Sequence, residues 1–110
     1  MSLLQDTNKD YRDMLMAEKL VNLRNSARKR NIDFDLNLTS MRNLLNANQC
    51  YFTGTKLNRE NFSVDRICAS QGYVKGNVVA CDKDFNSKKA NLTLSELESI
   101  YNRLKRAKKL

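Results

Sequence analysis

Histidine and proline are absent from this 110-residue chain, and glycine occurs only three times. Without histidine, no imidazole is available as a general base, metal ligand or switch near neutral pH. Without proline, and with so few glycines, punctuation is sparse, and each glycine marks a place where the backbone needs unusual freedom. No apolar run is long enough to span or enter a bilayer. No signal-peptide pattern opens the chain, because Met1-Ser2-Leu3-Leu4 runs straight into polar residues. Three cysteines, an odd number at low density, suit reduced thiols and argue against a disulfide framework. No internal repeat, linker or low-complexity segment is visible. Together these absences predict an intracellular protein, in the cytoplasm of a cell or of a virus-infected host.

What the chain does have is positive charge. Lysine and arginine outnumber aspartate and glutamate by 20 to 12, for a net charge of +8 and a pI near 9.6. A surplus of that size on one small domain makes a field that attracts polyanions. Met16, Leu20, Leu23 and Ala27 recur at helical spacing, which predicts a first helix over about 6–30, capped by Thr7 or Asn8. Its second half carries Arg24, Arg28, Lys29 and Arg30 without an acid. Part of that run serves the helix dipole, and a solvated charged face is its ordinary explanation. Residues 31–38 alternate Ile32, Phe34, Leu36 and Leu38 with polar residues, as a half-buried strand or extended segment does. Thr39 is placed to cap a short helix containing Met41, Leu44 and Leu45. Thr93 and Glu96 have the spacing of a capping box. They open a helix over 94–108 with Leu94, Leu97, Ile100 or Tyr101, and Leu104 facing inward, ending in Lys105 and Arg106. The expected fold class is α+β, one domain over 1–110 with helices flanking a small β-hairpin-plus-helix centre at about 50–90.

That centre contains the most specific pattern in the chain, FSVDRICASQGYVKGNVVACDKDFNSKK at 62–89. A strand ends in Asp65-Arg66, a glycine-marked turn follows, Val78 and Val79 lie on a second strand, and Asn86 and Lys88 lie on a short helix. Asp65-Arg66-Ile67, Gly72-Tyr73, Gly76-Asn77-Val78-Val79 and Asn86-x-Lys88 in this order resemble the ββα-metal core of HNH-type endonucleases, the phage-type members above all. The resemblance covers about residues 20–98. It implies that Asp65 and Asn86 bring one Mg²⁺ or Mn²⁺ against a scissile phosphate, and that Arg66 stands at the position of the family's general-base histidine. It also implies that Asn77 ties the hairpin together, with Gly72 and Gly76 bracketing Tyr73 in the turn. Cys50-Tyr51-Phe52-Thr53-Gly54 is similar to the cysteine knuckle of zinc-bearing relatives. The four positions matching their ligands are Cys50, Thr53, Asp82 and Phe85, with Cys81 one residue out of register. One thiolate cannot build the usual tetrahedral site, so no structural zinc is expected and Phe85 is expected to pack in that volume. Cys68 has no partner signal.

Arg66 divides the functional expectations. A guanidinium stays protonated and cannot take a proton from water, but it can grip a phosphate in a bidentate manner. General-base catalysis contributes about 10²–10⁴-fold, so cleavage survives its loss only if other groups remain effective; Tyr73, Asp82 and Asp84 are the candidate substitutes. The resemblance therefore implies a phage-encoded, metal-dependent DNA endonuclease acting on duplex or branched DNA. The alternatives are a catalytically degenerate DNA-binding relative, and a viral factor that binds a host or viral protein and blocks a nucleic-acid enzyme. Catalytic expectations fall on Asp65, Arg66 and Asn86. Nucleic-acid contacts are expected from Arg66, Lys88, Lys89, Arg24, Arg28, Lys29, Arg30, Lys105 and Arg106. The basic runs lack interleaved aromatics, which disfavours stacking on single strands. A homodimer would suit cutting both strands.

Overall fold

The computed structural model describes residues 9–89 and 92–109. Thr7 and Asn8 lie outside them. The chain is α+β: helix α1 (Lys9–Lys29), helix α2 (Leu38–Leu45), strands β1 (Phe62–Arg66) and β2 (Val78–Asp82), helix α3 (Lys83–Lys88) and helix α4 (Leu94–Arg106). The two strands form one antiparallel hairpin, with Phe62 opposite Asp82 and Arg66 opposite Val78.

Helix α1 carries Asp10 in its first turn and Arg28 and Lys29 in its last, charges placed to oppose the dipole at each end. It stops because Asn31 takes a left-handed conformation at φ 56°. The Asn31 amide then bonds Arg28 O and the Ile32 amide bonds Ala27 O, closing the helix with two reverse hydrogen bonds. Met16 and Ala27 of the expected stripe are buried, and Leu20 and Leu23 pack between two apolar clusters. The larger cluster holds Met16, Met41, Leu45, Cys50, Phe62 and Phe85 among others. The smaller joins Ala27, Leu36 and Tyr73.

Two expectations are corrected, and a third is resolved between its alternatives. The segment at 31–38 is extended rather than a strand: Ile32 and Phe34 are half-buried and Leu36 buried between exposed neighbours, its sheet-like pairing among the described residues is an isolated bridge between Phe34 and Tyr73, and Leu38 is exposed as the first residue of α2. Thr39 is not the cap of α2. Asn37 caps it, its side chain accepting from the Ser40 amide at 2.9 Å, while Ser40 Oγ accepts from the Asn37 amide at 3.3 Å. A serine thus closes the box in place of glutamate, which hid the signal. On α4 the Thr93–Glu96 box forms, but Leu94, Leu97 and Tyr101 are exposed, at 85%, 48% and 52%. Only Leu104 is buried, with Ile100 half-buried against the main core. Helix α4 is also held by a polar clamp, because Arg103 donates to Tyr51 O at 2.8 Å.

Candidate functional site

Strand alternation sorts the hairpin into two faces. Phe62, Val64 and Arg66 point one way, and Ser63 and Asp65 the other. The short helix α3 follows β2 directly, with Asp82 accepting from the Asp84 amide at its start. It crosses the Ser63–Asp65 face. Asn86 and, one residue past the helix, Lys89 are three apart, so they emerge on the same side and meet strand residues two apart. Asn86 Nδ2 donates to Ser63 Oγ at 3.4 Å, and Lys89 Nζ lies 2.7 Å from Asp65 Oδ2.

Asp65 is almost fully buried, and both carboxylate oxygens are engaged: Oδ2 by Lys89, and Oδ1 by the Arg66 amide at 2.8 Å. Lys89 makes a second bond, to Arg66 O at 3.0 Å. Its ammonium also lies 5.2 Å from the centroid of Phe52, which packs on Phe85 at 5.1 Å. Among the described residues no group of three or more Asp, Glu, Cys or His is arranged to hold a metal ion. Asn86 of α3 does meet the face of β1 that carries Asp65. The Asp65 carboxylate faces the Lys89 ammonium, and the Asn86 amide nitrogen is turned to Ser63.

Arg66 bridges the connection between the strands. Its Nη1 donates to Ala69 O at 2.9 Å and Gln71 O at 3.1 Å, and its guanidinium carbon sits 5.4 Å from the Tyr73 ring centroid. Arg30, arriving from the end of α1, is 6.0 Å from the same ring and donates to the Tyr73 hydroxyl at 3.0 Å. Two guanidinium groups from distant parts of the chain thus share one buried tyrosine. Among the described residues neither has a carboxylate within ion-pair distance. Asn77 fastens the same loop. It is buried, its Oδ1 accepts from the Cys68 amide at 2.9 Å, and its Nδ2 donates to Cys68 O and Gly72 O at 3.1 and 2.9 Å.

The two flanking glycines differ in purpose. Gly76 has φ +87° and open space around it, so it supplies a left-handed turn. Gly72 is needed for close approach: a Cβ there would collide with the Asp33 carbonyl, beside the Tyr73–Asp33 backbone bond of 2.9 Å. Of the other expected contact residues, Lys88 is exposed at the end of α3, Arg24, Arg28 and Lys29 are exposed along α1, and Lys105 and Arg106 are exposed on α4.

The cysteine knuckle forms a tight turn. The Cys50 amide donates to Thr55 O at 2.7 Å and the Gly54 amide to Cys50 O at 3.0 Å, with Gly54 at φ +78°. Its register brings Cys50 Sγ to 3.7 Å from Cys81 Sγ, both buried and both free thiols. The hydrogen bond between the two thiols, opposed by burial, lowers Cys50 to about 5. The same bond, with burial, raises Cys81. The resemblance set Cys81 one residue out of register from the positions matched to Cys50, and the direct contact of the two sulfurs depends on how the knuckle docks against β2 through the Tyr51–Ala80 backbone bond. Cys68 is exposed, its sulfur 3.0 Å from Ser70 Oγ. Tyr51 and Phe52 pack edge to face at 5.2 Å. Sequence reasoning named Lys89 only as a phosphate contact. Its ion pair with Asp65 had no signal beyond the i, i+3 spacing from Asn86.

No protein-family model matches the chain. The chain is similar to an uncharacterized 29.0 kDa protein encoded in the dda-modA intergenic region of Enterobacteria phage T4, with 32% identity over 86 residues. The alignment takes in 74% of this chain and 35% of that protein, so the chain spans about a third of the length of the relative it matches. Among the described residues no helix is long and apolar enough to cross a membrane.

Proposed function

We propose that this protein is a phage-encoded nucleic-acid-binding domain with an HNH-like ββα centre, which grips the phosphate backbone of DNA at the end of β1. One observation carries the reading. Cations remote in sequence (Arg30 at the end of α1 and Arg66 at the end of β1) converge on Tyr73 without a carboxylate to neutralise them, in a molecule of net charge +8. Each guanidinium stays protonated and can hold a phosphate through charge-assisted hydrogen bonds. The exposed Arg24, Arg28 and Lys29 extend the same electrostatic surface along α1. Contacts of this kind set affinity and register and do not read bases.

Metal-dependent cleavage of DNA is the second reading. What favours it is that Asn86 of α3 meets the face of β1 that carries Asp65. Against it stand the ammonium on Asp65 and an Arg66 that cannot act as a base.

The test is fluorescence anisotropy with a labelled duplex at low salt, in EDTA and in Mg²⁺, for the parent and an Arg30→Gln/Arg66→Gln variant. A parent that binds in both buffers, with affinity at least about tenfold weaker in the variant, supports backbone binding; one charge-assisted contact is worth roughly that factor. No affinity at low salt would sink both readings and turn attention to an acidic protein partner. Supercoiled plasmid incubated alongside separates them: nicking removed by Asp65→Ala establishes cleavage.

A further inference from the structure

We infer that Lys89 is a built-in cation that fills the Asp65 site in place of a divalent metal. The inference deepens the nucleic-acid reading given above and concerns the opposite face of the hairpin, the one that carries Ser63 and Asp65. The ammonium is held as a ligand would be. A carboxylate oxygen of Asp65 stands at 2.7 Å and the main-chain carbonyl oxygen of Arg66 at 3.0 Å. An ammonium has three N–H groups, so one remains for an acceptor outside the protein.

This lysine differs from a surface residue that happens to find an acid. Asp65 exposes only 12% of its side chain and Lys89 33%. The ammonium lies over the Phe52 ring, and Phe52 is held in turn by Phe85 and Tyr51. Strand and helix periods match at this point, because Ser63 and Asp65 are two apart on the strand and Asn86 and Lys89 three apart beyond it. The fold that presents Asp65 therefore delivers the lysine to it.

The consequence is electrostatic. An uncompensated carboxylate beside Arg66 would repel a backbone phosphate and weaken the arginine's pull. With Lys89 in place the pair sums to zero, and the charges of Arg66 and Arg30 act undiminished. A divalent ion could reach Asp65 only by displacing a cation that the protein supplies at high effective concentration. The site accordingly recognises phosphate without added metal.

Binding of Mn²⁺ to the full chain, without nucleic acid, tests this by titration calorimetry and by the electron paramagnetic resonance signal of the free ion. The comparison is among the parent, Lys89→Met and Lys89→Met/Asp65→Asn. Methionine keeps the apolar stem against Phe52 and removes the charge. The parent should show no Asp65-dependent Mn²⁺ site. Lys89→Met should bind at least about tenfold more tightly, the scale expected for removing a competing unit charge at contact distance, and the double variant should lose that gain. A parent that already binds one Mn²⁺ as tightly as Lys89→Met would overturn the inference, as would a Lys89→Met protein with no Asp65-dependent gain. Lys89→Gln is carried in parallel, with circular dichroism of each variant, and is read by the same criteria should Lys89→Met fail to fold. Because the readout contains no DNA, failure of the nucleic-acid reading leaves the Mn²⁺ comparison intact.

Discussion

The two glycines around Tyr73 serve different needs, and a single methyl group separates their consequences. At Gly72 an added Cβ meets the Asp33 carbonyl, part of a backbone that is itself bonded to Tyr73 and cannot yield cheaply. Gly72→Ala is expected to cost about 2–3 kcal/mol, the scale of core overpacking. At Gly76 nothing crowds the added carbon, and only the left-handed backbone is penalised. Gly76→Ala is expected to cost about 1 kcal/mol, with Gly76→Asn smaller still. Urea denaturation of the three variants checks the order; equal losses for Gly72→Ala and Gly76→Ala would contradict it. Arg66 shows the limit of motif reading at the same scale. Its place in the pattern was plain from Asp65-Arg66-Ile67. Its bonds to Ala69 O and Gln71 O were not, because they depend on a loop whose path Asn77 determines.

Among the elements, α4 departs furthest from what periodicity implies. Leu94, Leu97, Tyr101 and Leu104 recur at helical spacing, yet the helix buries Leu104 and half-buries Ile100 while turning the rest outward. An apolar stripe shows that a helix has an apolar side; it does not show where along that side the core lies. Here the docking direction is decided by Arg103 on Tyr51 O and by the partly buried Ile100. Leu104→Ala should lose about 2–4 kcal/mol of stability, whereas Leu97→Lys should lie within about 0.5 kcal/mol of the parent. Thermal and chemical denaturation of both variants read this directly, and a large loss in Leu97→Lys would show that its side chain is covered in solution. Other elements were legible. Helix α1, the two strands and α3 follow from strong local patterns, and Asn31 is a fitting left-handed helix end once its position is seen. Helix α2 started two residues early because an Asn37–Ser40 box lacks the acidic residue that marks the usual form.

At the level of the whole molecule, charge governs behaviour toward polyanions. The Lys89–Asp65 pair contributes no net charge, so on the proposed nucleic-acid reading Arg30, Arg66 and the exposed basic residues of α1 would carry the attraction. If three phosphates are neutralised, the logarithm of the duplex binding constant should fall with the logarithm of salt at a slope of about −2.7, steeper if α1 joins the contact. A slope shallower than about −1 would mean that phosphate contacts do not dominate. Arg24→Gln/Arg28→Gln should flatten the slope without altering folding, since both side chains are solvated.

By itself the sequence determined the α+β class, the ββα order, the positive field and the candidate residues Asp65, Asn77, Asn86 and Arg66. Those features rest on local periodicity, turn chemistry and composition, which the chain carries residue by residue. Only the tertiary structure decided what these side chains touch. It set Lys89 against Asp65 and Cys50 against Cys81, 24 and 31 residues apart, and brought Arg30 and Arg66 to the ring of one tyrosine. Such pairings arise from how helices and strands dock. The charge balance of a site, which decides whether it holds a metal, an ammonium or a phosphate, is a sum over neighbours that docking alone brings together.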